Sequence, residues 1–306
     1  MTTTAEVRRD GRRQHLDRVA IASLLLCSAL WGLNQVAAKV ALAEIPPLAQ
    51  AAARSLGAAL LLLAWARWRG IALWSGDGTW RGGLAAGALF AAEFACIFVG
   101  LQFTSASRMA VFIYLSPFVV ALGMPFIARG ERLAPAQWLG LAIAFAGVAW
   151  AFAEGFVPAA AAGPRQWLGD TLGVAAAMLW GATTLTIRAT SLASAPAEKT
   201  LLYQLVISGV LLALAAGLAG ERWPSQLGTL AWSSLAFQTV IVSFASYLLW
   251  FWLVRHYPAT RIAAFTLLTP LAGLIAGVGL LGEPLTLRLV VAVAAVVVGI
   301  ALVSRR

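Results

Sequence analysis

Charge is what this sequence has least of: of 306 residues only 11% are Asp, Glu, Lys or Arg, against 61% hydrophobic. So little charge cannot cover a water-exposed surface. The mean hydropathy of +0.85 comes from long uninterrupted apolar runs. An ordinary soluble domain is thereby excluded, and the bilayer becomes the solvent. Cysteine is nearly absent too. Cys27 and Cys96 both lie inside apolar runs, with no CxxC spacing, so neither a disulfide framework nor a cysteine-bound metal is expected. The only histidines are His15 and His256, and no HExxH, GxSxG or GxxxxGK[ST] motif occurs. No metal, no cofactor, no enzymatic activity and no direct use of ATP are expected. Acidic residues number 12 against 22 basic ones, a net charge of +10. Because the excess falls between the apolar runs, membrane topology accounts for it without a nucleic-acid partner.

The N-terminal basic residues Arg8 to Arg18 precede an apolar stretch as they would in a signal peptide. No A-x-A-like cleavage site follows, and the run continues through Trp31, Asn34 and Lys39, so it is a retained first span. Cys27 is preceded by Leu26, which is not small, and lipidation there is not expected.

A span needs roughly 20 apolar residues. Ten candidates fit, near 19–41, 46–66, 83–104, 108–128, 135–153, 168–188, 200–219, 231–254, 261–281 and 285–303. With the N-terminus placed in the cytoplasm, sixteen Lys and Arg sort inside. Lys39, Arg54, Arg108, Arg165, Arg222 and Arg288 are the six that sort outside or toward it. Both termini are therefore predicted cytoplasmic, which requires an even number of spans.

The sequence also repeats. Leu30-Trp31-Gly32 returns as Leu179-Trp180-Gly181, and Ser107-Arg108-x-Ala110-x-Phe112-x-x-Leu115-x-Pro117 returns as Thr260-Arg261-x-Ala263-x-Phe265-x-x-Leu268-x-Pro270. Gly130-Glu131 and Gly282-Glu283 follow in turn. A repeat of five spans must enter the membrane from opposite sides, so the expected fold is an all-α integral membrane protein of ten transmembrane helices in two inverted five-helix repeats. Its expected parts are a cytoplasmic tail over 1–18, a first repeat over 19–153, a periplasmic connecting loop over 154–167 and a second repeat over 168–303. That architecture points to a secondary transporter with substrate held near the midplane between repeats.

In the order of these features the chain resembles the EamA-type members of the drug/metabolite transporter superfamily. The likeness rests on Trp31-Gly32 with Lys39, Pro46-Pro47 with Arg54, Pro117, Gly130-Glu131, Trp138-Leu139-Gly140, and Pro270 with Gly282-Glu283. The resemblance implies a bacterial cytoplasmic-membrane permease, often an exporter of amino acids or other metabolites. It names no substrate.

Polar residues inside the spans supply the candidate site. Glu93 is the one acid deep in a helix; at the centre of a span it costs about 2.5–3.5 kcal/mol, so it faces a cavity, finds a partner or is protonated. Proton coupling or amine binding is one reading, and a neutral acid hydrogen-bonded between helices the other. Arg54, two turns inside the second span, suits a substrate carboxylate, or else an ion pair or a snorkelled side chain. Lys39 reads as a rim residue that pairs with Glu44 or caps helix carbonyls. Trp31, Asn34 and Gln35 meet their repeat counterparts Trp180, Thr183 and Thr184 at comparable depth. Ser243, Ser246, Tyr247 and Trp250 form one stripe of the eighth span. Together Glu93, Trp31, Asn34, Arg54, Trp180, Thr184, Tyr247 and Trp250 are the expected substrate-binding or coupling residues. Expected partners are a small-molecule substrate and the bilayer, with a homodimer open. The function expected is proton-coupled export of small metabolites by alternating access. A passive channel or facilitator for small polar solutes is the alternative, though rings of like charge that would favour it are absent.

Overall fold

A computed structural model describes residues 17–74, 76–127, 134–154, 165–257, 265 and 268–303. The N-terminal basic tail, Gly130-Glu131, most of the 154–167 loop and the segment carrying Thr260-Arg261 lie outside the described residues. Everything described is helix, turn or irregular chain, with no strand among the described residues. Among the described residues eight helices are long and apolar enough to cross a membrane, and two further apolar helices are shorter.

Lipid explains that choice: a backbone without water must bond to itself, and a helix does so within one segment. In chain order the elements are α1 (Arg18–Ala41), α2 (Pro47–Trp68), α3 (Trp80–Gly100), α4 (Ala106–Ile113), α5 (Ser116–Ile127), α6 (Pro135–Ala153), α7 (Gln166–Ala189) and α8 (Ala197–Leu218). Then come α9 (Thr229–Ala236), a π-helical segment (Phe237–Ser246), α10 (Tyr247–His256), α11 (Leu268–Leu281) and α12 (Leu287–Val303). Punctuation in the sequence sets several ends. Pro46-Pro47 opens α2, Pro135 opens α6 and Pro196 precedes α8, positions where a missing N–H leaves nothing unpaired. Gly70 and Gly220 close α2 and α8 with positive φ.

The helices pair across the two halves. α2 packs on α8, α6 on α12, α3 on α7 and α8, α1 on α11, and α5 on α7. Pairing of α2 with α8 and of α6 with α12 sets each helix against its own counterpart. Contacts at both ends show α2 and α8 running antiparallel: Glu221, just after α8, reaches the start of α2, while Asp77, after α2, holds Lys199 near the start of α8. Both features fit a two-repeat architecture.

Glycine makes the close approaches. A Cβ on Gly83 would stand 2.5 Å from the Tyr203 ring, and one on Gly87 2.6 Å from Ile207, so this GxxxG pair is the seat of α8 on α3. The repeated Trp-Gly motif acts alike in both halves. A Cβ on Gly32 would lie 2.5 Å from the backbone N of Gly273 in α11, and one on Gly181 2.5 Å from Val119 in α5.

Two expected spans differ in detail. The fourth is broken at Tyr114-Leu115 into α4 and α5, because Pro117 in the first turn of α5 has no N–H to continue the ladder. The eighth is in three pieces, with a ten-residue π-helical stretch at its middle. Such helices are usually single-turn and associate with functional sites.

Candidate functional site

The site begins with depth. Asn34 lies seven residues before the end of α1 at Ala41, Arg54 seven after the start of α2 at Pro47, and Glu93 seven before the end of α3 at Gly100. All three helices have those termini at the same face of the molecule, called here the Lys39 face. At 1.5 Å per residue the three side chains therefore stand at one level, about 10 Å inside.

At that level Arg54 and Glu93 are 1% and 5% exposed. Neither Arg54 nor Glu93 takes part in a direct ion pair among the described residues. Instead the Arg54 guanidinium sits over the Phe94 ring at 3.8 Å, with Phe98 at 5.7 Å, and lies within electrostatic reach of the Glu93 carboxyl and the Tyr247 hydroxyl. Its Nε and Nη2, and Glu93 Oε2, find no hydrogen-bond partner. Arg54 is thus neither snorkelled nor ion-paired. Cation–π contact offsets part of its desolvation, and Nε and Nη2 stay free.

Other unpartnered buried atoms lie on α1 and α2, Asn34 Oδ1, Gln35 Oε1, Gln50 Oε1 and Ser55 Oγ, and on the π-helical segment, Gln238 Nε2 and Ser243 Oγ. Gln50 Nε2 donates to Gln238 Oε1 at 3.3 Å and to the Ala38 carbonyl at 3.2 Å, tying α1, α2 and the π-helical segment together. A buried polar group left unsatisfied costs about 1–3 kcal/mol, and in native proteins such groups are met by water or solute. With Arg54 and Glu93 they give α1, α2, α3 and the π-helical segment a set of polar atoms able to meet a polar solute.

Aromatic walls adjoin it. Trp31 donates from Nε1 to Ser246 Oγ at 2.9 Å and packs against Trp250 and Tyr247, with centroids at 5.1 and 6.1 Å. Ser246, Tyr247 and Trp250 thus present one stripe to α1. Trp180 meets Tyr114 edge-on at 5.5 Å, and Tyr114 lies within electrostatic reach of Tyr247. Of the expected residues, Glu93, Arg54, Trp31, Tyr247 and Trp250 are brought together, Asn34 shares their level, and Trp180 joins through Tyr114. Thr184 donates to the Trp180 carbonyl of its own helix at 3.1 Å, and no contact carries it to the others. Gln50, Ser55 and Tyr114 were not among the expected residues. Gln50 stands four residues before Arg54, hence on its face of α2, and that spacing is the signal that could have found it.

Lys39 donates to the carbonyls of Leu101 (3.1 Å) and Thr104, closing the end of α3, while Glu44 accepts from the Gly228 N–H at 2.6 Å. Toward the opposite face, a cavity of about 630 Å³ is lined by Trp65, Arg69, Glu198, Leu248, Trp252 and His256, among others. No His, Cys, Asp or Glu cluster among the described residues could hold a metal.

The EamA-like transporter family matches twice, over residues 18–153 and 167–305. An uncharacterized transporter of Bacillus subtilis, YvbV, is 29% identical over 285 residues, covering 90% of this chain and 88% of its own. An uncharacterized transporter of Archaeoglobus fulgidus is 25% identical over 249 residues, covering 81% and 84%. One solved structure superposes with a TM-score of 0.63 at 20% identity, over 93% of this chain and 97% of that one, which speaks to the fold. With both halves matched and helices built to span a bilayer, the chain is a multi-pass membrane protein belonging to the EamA-like transporter family.

Proposed function

We propose that this transporter is a ten-span secondary carrier of two inverted halves that exports small organic metabolites, amino acids among them, in exchange for protons. In this reading it lies in a bacterial cytoplasmic membrane with both termini inside. The observation that carries it is the placing of the Arg54 guanidinium and the Glu93 carboxyl at one level, both buried, not bonded to one another, and each with polar atoms unpartnered. A solute with a carboxylate and an ammonium group satisfies both: the guanidinium takes the carboxylate through planar donors and Glu93 takes the ammonium. Trp31, Tyr247 and Trp250 then wall its apolar part.

Exchange follows from one acceptor serving two cations. Glu93 binds either the ammonium or a proton, so proton entry releases solute and solute entry requires a deprotonated carboxylate. Proton movement through 100 mV supplies about 2.3 kcal/mol per cycle, enough to hold a concentration ratio.

The test is a panel of radiolabelled metabolites in proteoliposomes with and without an imposed pH gradient. A carrier saturates and responds to the gradient. In the Glu93→Gln variant, transport of the substrate so found should lose its pH dependence, and unchanged pH dependence would sink the coupling role.

A further inference from the structure

Helix ends at the Lys39 face are completed by the opposite half. Glu44, from the first half, accepts from the Gly228 N–H ahead of α9, at 2.6 Å. Glu221, from the second, accepts from Leu48 and Ala49 N–H at the start of α2, at 3.3 and 2.8 Å. Glu283, in the α11–α12 turn, accepts from Ala106 and Ser107 N–H at the start of α4, at 2.7 and 2.9 Å, and from the Ser107 hydroxyl. Two residues past that start, Arg108 is clasped from both sides. Its Nε and Nη2 donate to Asp170 at 3.1 and 2.6 Å, and its Nη1 to Glu154 at 2.8 Å.

These ties are not equivalent. The α2–α8 pair is held at its other end as well, where Lys199 donates to both carboxylate oxygens of Asp77 at 2.8 Å, so it is a scaffold. By contrast α4 is eight residues long and is separated from α5 by the break at Tyr114-Leu115. One end of this short helix carries the Glu283 and Arg108 contacts, and the other leads into Tyr114. A short helix interrupted at one end and bonded at the other is suited to pivot as a unit, and Tyr114 joins it to Trp180.

We propose that α4 is the moving gate on the Lys39 face, latched by Glu283 on its N-terminus and by the clasp of Asp170 and Glu154 on Arg108, and that this face opens when those contacts part. The proposal rests on the alternating-access reading for its link to the opposite face.

Accessibility tests it without a known substrate. A Ser55→Cys reporter, in full-length protein with Cys27 and Cys96 replaced by Ala, is labelled by a charged, impermeant maleimide added to one face of sealed vesicles. Glu283→Gln and, separately, Asp170→Asn should raise labelling from the Lys39 face by about tenfold or more. Ser107→Ala, which removes one donor and leaves every charge paired, should give a smaller rise in the same direction and covers the case in which the other variants fail to fold. Unchanged labelling in the variants that fold overturns the gate. So does an equal rise in Asp77→Asn, which loosens the scaffold instead. A matching fall from the opposite face supports alternating access, while a rise without that fall keeps the gate and overturns the carrier reading.

Discussion

Two buried arginines in this protein have opposite fates. Arg108 is bonded on nearly every side by Asp170, Glu154 and the Ala151 carbonyl, whereas Arg54 has aromatic faces and unpartnered donors. Their removal should read out differently. Arg108→Ala leaves Asp170 buried and unpaired, a loss of about 3–5 kcal/mol that appears as a lower melting temperature in detergent. Arg54→Ala removes no protein–protein ion pair, so melting should hold, while the half-saturation concentration of a carboxylate substrate rises about tenfold to a hundredfold. If Arg54→Ala instead melts early with its half-saturation unchanged, Arg54 is a structural residue. Arg54 and Glu93 were legible in the sequence because a charge inside an apolar run is conspicuous. Gln50 and Ser55 were not, since an amide or hydroxyl in lipid serves equally as glue between helices. Arg108 was sorted by side of the membrane alone. Charge counting could not show that Asp170, sixty-two residues on, comes to meet it.

Among the elements, the spans were readable from length and apolarity, and the close helix crossings from GxxxG spacing. The break in the fourth span was signalled only by Pro117, and the π-helical stretch of the eighth by nothing in its composition. Both depend on which backbone groups neighbours satisfy. In that stretch Thr239 and Ser246 donate to carbonyls four residues back, at 2.7 and 2.6 Å, supplying local partners that the sequence pattern does not rank. The Trp-Gly motif has two separable parts. Trp31 packs on Tyr247 and Trp250, and Gly32 sits at the α1–α11 crossing, where a Cβ would meet backbone and not a flexible side chain. Gly32→Ala should therefore cost about 1–3 kcal/mol in thermal denaturation. Gly217→Ala, at a position with nothing within 4 Å, should be neutral or stabilising. Equal melting of the two would remove the packing role assigned to the motif.

For the whole molecule, the family and the helical membrane architecture followed from order and hydropathy. The sidedness expected from the Lys and Arg distribution is open to direct measurement. In a background lacking Cys27 and Cys96, Gln102→Cys at the Lys39 face should react with impermeant maleimide added outside intact cells. Gly76→Cys, between α2 and α3, should react only after the membrane is opened. The reverse pattern would overturn the proposed placement of both termini inside. Net charge belongs to this scale too. The +10 balance is spread over the helix ends and the segments between them, and Arg54 and Glu93, seven residues inside their helices, contribute nothing to it as a pair.

The carboxylates that close helix ends across the two halves bear on how the chain is made. During synthesis the amide groups at the start of α2 remain without Glu221, and those at the start of α4 without Glu283, until most of the protein has been inserted. The first half enters the bilayer with two helix ends unfinished. The turn between the final two helices supplies the last of those acceptors, so assembly of this transporter is completed by its C-terminal hairpin.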